Sequence, residues 1–183
     1  DFEKKVGLAS DWEKFRKKVK AWTLETRYPF LSVTILPVLL GASIALTRTK
    51  SFNIVYFLLA LFGSIFIHLG TNIINDYFDH KSGNDEVNNE FVRPFSGGTR
   101  MIQLGLLSSL EVLVGAIIFF ILGISIGLFL FYKCGFGILF LGVIGVISGF
   151  FYTAPPLQWA SKGFGEFLVG LNFGILNALG SFY

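Results

Sequence analysis

The chain has 183 residues, of which 53% are hydrophobic and only 15% charged, with 22 phenylalanines and 21 glycines. Fifteen Lys and Arg against twelve Asp and Glu leave a formal net charge of +3. That balance excludes an ordinary soluble domain, and the single cysteine, Cys134, excludes an internal disulfide and any Cys/His zinc cluster.

Residues 1–27 are charged and amphipathic. Trp12, Phe15, Val19 and Trp22 recur at helical spacing, with Lys14, Arg16, Lys17, Lys18 and Lys20 around them. The pattern predicts a helix on the membrane surface, its basic side toward lipid headgroups. The alternative is a solvated helix packing on the bundle.

Residues 28–183 carry five apolar runs. Crossing roughly 30 Å of hydrocarbon takes about 20 residues of helix, and in lipid the backbone must satisfy its own hydrogen bonds. The predicted spans are Pro29–Thr47, Phe52–Asn75, Leu107–Tyr132, Gly135–Tyr152 and a fifth from Gly165 to the chain end. The fourth stops at Ala154-Pro155-Pro156, where a helix is hard to continue. The fold class is therefore all-α, a polytopic transmembrane helix bundle. Gly123/Gly127, Gly145/Gly149 and Gly170/Gly174 have the small-xxx-small spacing that lets helices approach closely. No span repeats another closely enough to indicate a duplication. Gly135-Phe136-Gly137 is no nucleotide fingerprint, since no strand precedes it and no third glycine follows at the required spacing.

Twelve of the fifteen Lys and Arg fall on one side of the predicted topology: the N-terminal segment, the second-to-third loop and the fourth-to-fifth loop. Arg48, Lys50 and Lys133 fall on the other. The positive-inside rule then places the loop after the second span in the cytoplasm, or in the equivalent compartment of an organelle. The first apolar run is long and lies inside the chain, unlike a cleavable signal peptide. The chain begins at Asp1 and ends on an apolar run, so both ends are expected to be cut.

The second span ends in polar residues. At about 3.6 residues per turn, His68, Asn72, Asp76 and Asp79 share a helix face, with Asn75 beside them. Acids at a membrane edge are costly, so they mark a functional site by default. Asp76, Asp79, Asp85, Glu86 and Glu90 crowd into fifteen residues. A hard divalent cation would relieve their repulsion, and Mg2+ is commonly held by one or two carboxylates together with substrate phosphates. Asn72 and Asn75 can add amide oxygens. Gly83 and Asn84 predict a turn that returns Asp85 toward the pocket. Arg93 and Arg100 flank a Gly97-Gly98 turn and offer forked donors for phosphate oxygens. Lys81 falls on the far side of the helix from Asn72. Acids for a metal and arginines for phosphate beside lipid fit a metal-bound diphosphate with a greasy tail. A cation or proton transporter explains the acids but not the segment from Arg93 to Arg100.

Asn75-Asp76-Tyr77-Phe78-Asp79 with Lys81-Ser82-Gly83 and Asp85 resembles the first aspartate-rich motif of the UbiA-type intramembrane prenyltransferases. Many members carry a third Asp at the position of Gly83. Here it stands at Asp85, as in the branch that prenylates 1,4-dihydroxy-2-naphthoate. Arg93-Pro94-Phe95-Ser96-Gly97-Gly98, Tyr152-Thr153-Ala154-Pro155-Pro156-Leu157, Gly163-x-Gly165-Glu166 and Gly170-Leu171-Asn172-Phe173-Gly174 are also similar to that branch.

The resemblance implies nine transmembrane helices around a cavity open to lipid, of which about five are represented here, and a second aspartate-rich motif in the remainder. A fragment without that motif is not expected to turn over. The resemblance implies Mg2+, a polyprenyl diphosphate donor and an aromatic acceptor, with no nucleic-acid partner. Asp76 and Asp79 would be catalytic, with Asp76, Asp79 and Asp85 on the metal. Asn72, Asn75, Arg93 and Arg100 would bind the diphosphate. His68, Tyr152 and Asn172 are candidates for the acceptor pocket. The implied reaction is prenylation of dihydroxynaphthoate with decarboxylation, giving demethylmenaquinone; the alternative acceptors are 4-hydroxybenzoate and homogentisate.

Overall fold

The structure, a computed structural model, describes residues 2–50, 52–83 and 98–183. Among these residues every regular element is helical. Helix α1 spans Phe2–Glu25. A 3-10 turn, Tyr28–Leu31, leads into α2, Ser32–Thr49. Helix α3 is Ile54–Ser82, α4 is Ser109–Cys134 and α5 is Phe136–Phe150. A short helix α6 (Gly165–Val169) runs through a π-helical segment (Gly170–Leu176) into α7 (Asn177–Phe182). The boundaries between these three pieces keep right-handed helical dihedrals, so they form one continuous rod over the predicted fifth span.

Three helical stretches are long and apolar enough to cross a membrane: Asp11–Thr49, Ile54–Ser82 and Ser109–Cys134; Phe136–Phe150 is shorter. Leu36, Leu40, Ile121, Phe136 and Phe140 are exposed on their outer faces. Large apolar side chains turned outward from a helical bundle are what lipid solvates, so this is an integral membrane protein.

Local signals end the helices where they stand. The Asn53 side chain caps α3 by accepting from the Val55 and Tyr56 N–H groups at 3.0 and 3.1 Å. Gly83, at φ 76°, closes α3 in the left-handed conformation that glycine adopts without strain. Helix α3 therefore runs past the apolar span's end at Asn75 to the turn predicted at Gly83, and Asp76 and Asp79 lie on regular helix. Ser108 and Glu111 form a capping box at the start of α4. Pro37 lies within α2 without ending it.

Helices α3 and α4 share the longest contact, and α2 packs chiefly on α7. A Cβ at Gly41 would lie 2.1 Å from the Ala178 carbonyl oxygen, and one at Gly123 would lie 2.6 Å from Ile67 Cδ1. Of the three predicted small-residue pairs, Gly123 and Gly149 sit at close contacts. Gly127, Gly170 and Gly174 face open space, because spacing along one helix does not determine where its neighbour crosses.

The end of α1 packs on the bundle. Ala21 is buried in the core with Ile73, Ile74, Val112 and Ala116. Trp22 lies against Gly115, and Lys18 pairs with Glu111. Trp12, Phe15 and Val19 remain exposed. The segment thus joins the bundle at its C-terminal end, Trp22 included, while Trp12, Phe15 and Val19 stay outside.

Candidate active site

The polar end of α3 divides between two environments. His68, Asn72 and Asn75 line a cavity of about 400 Å³ whose other walls come from α4, α5, α6, the π-helical segment and α7. Tyr152 and Asn172 line it as well. Leu139, Val143, Val146 and Leu176 make most of the remaining wall apolar. An apolar cavity with a few convergent polar groups is the usual form of a small-molecule site.

Each polar group in the wall is held from another element. The Thr153 hydroxyl donates to Asn75 Oδ1 at 2.7 Å. Thr34 Oγ1 and His68 Nδ1 are 2.7 Å apart, joining α2 to α3, and the His68 ring lies 4.4 Å from the Phe173 ring. The Ser148 hydroxyl donates to Asn172 Oδ1 at 2.8 Å, and Asn172 Nδ2 donates to the Leu168 carbonyl at 2.8 Å. Both ends of the Asn172 amide are thus engaged between helices. Asn72 Nδ2 is buried without a partner. Such a donor beside a cavity is free to meet an oxygen of a ligand.

Asp76, 3% exposed, faces away from that wall. Its Oδ1 is ion-paired to the Arg27 guanidinium. Its Oδ2 accepts from the Thr99 N–H at 2.8 Å and from the Thr99 hydroxyl at 2.7 Å. The same hydroxyl lies against Glu25 Oε2, which competes for its single proton, and Glu25 is 0% exposed. Arg27 sits at φ 47°, a left-handed conformation uncommon for a residue with a side chain, and its Nε is buried without a partner.

Asp79 lies one turn further along α3, close enough for its charge to act on Tyr152. The Tyr152 phenol lies beyond α5, and its pKa is raised, first by burial and then by Asp79. Arg100 directly follows Thr99, at φ 61°. Lys81 lies over the Tyr77 ring, 5.8 Å from its centroid, and stays apart from the Asn72 side of the helix. Asp85, Glu86, Glu90 and Arg93 lie outside the described residues.

The predicted stripe of His68, Asn72, Asp76 and Asp79 is therefore divided. His68, Asn72 and Asn75 go to the cavity, and Asp76 goes to the junction after α1. Sequence reasoning missed Glu25, Arg27 and Thr99. One signal was present: Glu25 stands just after the apolar Ala21-Trp22 end of α1, where an acid invites a partner. Among the described residues no three His, Cys, Asp or Glu side chains converge as a ligand set.

The chain matches the UbiA prenyltransferase family over residues 34–183. It is 29% identical over 167 residues to the 1,4-dihydroxy-2-naphthoate octaprenyltransferase of Bacillus subtilis (strain 168), covering 88% of this chain and 50% of that protein. It is 26% identical over 174 residues to the protein of the same name from Haemophilus influenzae, covering 91% and 54%. It is 24% identical over 165 residues to the 2-carboxy-1,4-naphthoquinone phytyltransferase of Synechocystis, covering 90% and 50%. The chain thus spans about half the length of the curated relatives it matches. No solved structure matches it significantly. With a family match over most of its length and helices long and apolar enough to cross a membrane, the chain belongs to the UbiA prenyltransferase family.

Proposed function

We propose that the protein transfers a polyprenyl group from polyprenyl diphosphate to 1,4-dihydroxy-2-naphthoate, with loss of the ring carboxylate. The product is the quinol of demethylmenaquinone. The relatives' naphthoate and naphthoquinone names support the acceptor. The observation that carries the reading is the Asp76 carboxylate, buried and held at three points, one residue from an Asn75 that lines an apolar cavity.

Asp76, Asp79 and the Asn72 amide are oxygen donors suited to a hard cation, and a Mg2+ ion is often held by only one or two carboxylates beside a diphosphate. The donor set therefore fits Mg2+, with Asp85 as a further candidate ligand. When bound, the ion would act as a Lewis acid toward the leaving diphosphate.

The protein's own groups do the rest. Arg27, with an unused buried Nε, provides positive charge beside Asp76, and Arg100 and Arg93 are further candidates for the phosphates. Fixed charges aimed at the leaving group favour breaking of the C–O bond, whose electron pair leaves with the diphosphate. The apolar wall excludes water from the allylic cation, so the electron-rich ring is the available nucleophile. The ring carbon forms the new C–C bond, and its carboxylate departs as carbon dioxide. Asn72, His68 and Tyr152 are the polar groups placed to orient the acceptor. The Lys and Arg asymmetry supports a cytoplasmic loop between α3 and α4. The exposed Trp12, Phe15 and Val19 support a membrane-surface role for the free part of α1.

The test uses membranes carrying the full-length protein, a polyprenyl diphosphate, and either 1,4-dihydroxy-2-naphthoate or 4-hydroxybenzoate, with Mg2+ or with chelator. A Mg2+-dependent lipid at the mass of the decarboxylated prenyl-naphthoquinone is expected. A prenylated benzoate instead would move the acceptor. No product with either, despite normal expression, would sink the assignment.

A further inference from the structure

We propose that His68, fixed by Thr34 as an Nε2–H donor, stabilises the ring oxygen that takes up negative charge when the acceptor loses carbon dioxide; the proposal rests on the prenyltransferase reading above. Helix α2 carries five hydroxyl side chains. Ser32, Ser43, Thr47 and Thr49 each donate to a backbone carbonyl three or four residues earlier, at 2.7–3.2 Å, as hydroxyls on helices commonly do. Thr34 is the exception. It is 0% exposed, and among the described residues its hydroxyl is partnered by His68 Nδ1 at 2.7 Å. A hydroxyl has one proton. If Nδ1 carried the ring proton and donated it to Thr34, the Thr34 proton would be buried with no acceptor, which native structures avoid. The Thr34 hydroxyl therefore donates to Nδ1, and the ring proton stands on Nε2.

The ring is held from a second side by Phe173 of the π-helical segment, 4.4 Å away between centroids. Nδ1 is turned to α2, so Nε2 is the nitrogen that His68 offers to the cavity it lines. His68 precedes Asp76 by two helical turns on α3, about 12 Å along the axis. That interval accommodates the reacting carbon of the donor and the acceptor ring. Among the described residues no Lys or Arg lines the cavity, so negative charge that develops there is met by N–H and O–H groups.

The proposed reaction creates such a charge. Attack by the carboxylate-bearing ring carbon turns the neighbouring ring hydroxyl into a ketone, and its proton passes to the departed diphosphate. The result is a β-keto acid. Breaking its C–CO2 bond leaves the electron pair in the ring, as an enolate on that same oxygen. The enolate takes the proton back from the diphosphate and becomes the quinol hydroxyl. An N–H aimed at this oxygen holds the enolate more strongly than the ketone, so it favours the step that releases carbon dioxide. A neutral imidazole can polarise an oxygen in this way without giving up its proton.

The experiment uses the full-length protein in detergent with Mg2+, a polyprenyl diphosphate and either 1,4-dihydroxy-2-naphthoate or 4-hydroxybenzoate. His68→Phe keeps an aromatic ring against Phe173 and removes the donor; His68→Gln returns an N–H. Thr34→Val removes the hydroxyl, and Thr34→Ser returns it. Rapid quench compares diphosphate with carbon dioxide over the first turnover. In the wild type the two should appear together. In His68→Phe kcat should fall about hundredfold, as for loss of one oxyanion donor, with diphosphate released ahead of carbon dioxide. Thr34→Val should show the same lag with a smaller loss. His68→Gln and Thr34→Ser should recover most of the rate and close the lag. In the wild type, 15N NMR of labelled histidine should place the His68 proton on Nε2, the signals being identified by their absence from His68→Gln.

A proton on Nδ1 overturns the donor whatever the activity. Decarboxylated product from His68→Phe at the wild-type rate overturns it alone and leaves the transferase reading standing. A slowed His68→Phe in which carbon dioxide keeps pace with diphosphate also overturns it, because the loss then precedes decarboxylation. If His68→Phe does not fold, a lag in Thr34→Val that Thr34→Ser closes supports the proposal, and wild-type behaviour of Thr34→Val overturns it. A wild type that prenylates 4-hydroxybenzoate alone overturns the donor together with the naphthoate acceptor and keeps the transfer. No product with either acceptor sinks both.

Discussion

Thr153 donates its hydroxyl to Asn75 Oδ1 at 2.7 Å, across 78 residues of sequence. The contact ties the aspartate-motif helix to the turn that carries Tyr152 and the Pro155-Pro156 cis peptide. Two of the segments that carry the sequence resemblance thus meet in space.

Thr153→Val removes the donor and leaves a buried amide oxygen unpaired. Such a loss costs about 1–3 kcal/mol. The full-length protein should show a lower Tm in detergent and a reduced kcat. Thr153→Ser should retain both. An unchanged Tm in Thr153→Val would show that the bond contributes nothing.

Asp76→Asn should abolish prenyl transfer in the full-length protein while membrane insertion is retained. Arg27→Ala should also destabilise, by about 3–5 kcal/mol, because it strands a buried carboxylate. The double variant Arg27→Ala with Asp76→Asn should recover much of that stability, since no charge is then left unpaired. Additive losses in a double-mutant cycle would mean that the two side chains do not interact.

Gly142 lines the cavity, and a Cβ there meets nothing within 4 Å. Gly142→Phe should therefore fold and fill part of the apolar volume. Transfer from a long-tailed diphosphate should fall at least about tenfold, as expected for a clash in a pocket, with geranyl diphosphate affected much less. Equal loss with both donors would place the tail elsewhere.

Gly41 and Gly127 should behave oppositely. Gly41→Val places a side chain where the Ala178 carbonyl and Ser181 already stand. It should separate α2 from α7 and abolish the folded species on size-exclusion chromatography. Gly127→Ala meets open space and should raise stability by no more than about 1 kcal/mol, given alanine's higher helix propensity. Loss of folding in Gly127→Ala would contradict this account of the packing.

The helices and the motif were legible in the sequence for a local reason. In lipid each segment must satisfy its own backbone hydrogen bonds, so a long apolar run is already a helix. Cap residues such as Asn53, Ser108 and Gly83 then set its ends within a turn. Helical periodicity likewise placed His68, Asn72 and Asn75 together on the side that lines the cavity.

Periodicity could not say that Asp76 turns from that side to Arg27 and Thr99. The contacts that decide it join residues 23, 49 and 74 positions apart. They exist only because α1 folds back with Ala21 in the core and a left-handed turn at Arg27 behind it. The same holds for Gly127 and Gly174, which share the spacing of Gly123 and Gly149 yet touch no neighbour. The sequence by itself determined the membrane helices, the family motif and the residue types available for a metal and a diphosphate. The tertiary structure alone decided that Asp76 turns to Arg27 and Thr99, because that depends on how separate helices cross.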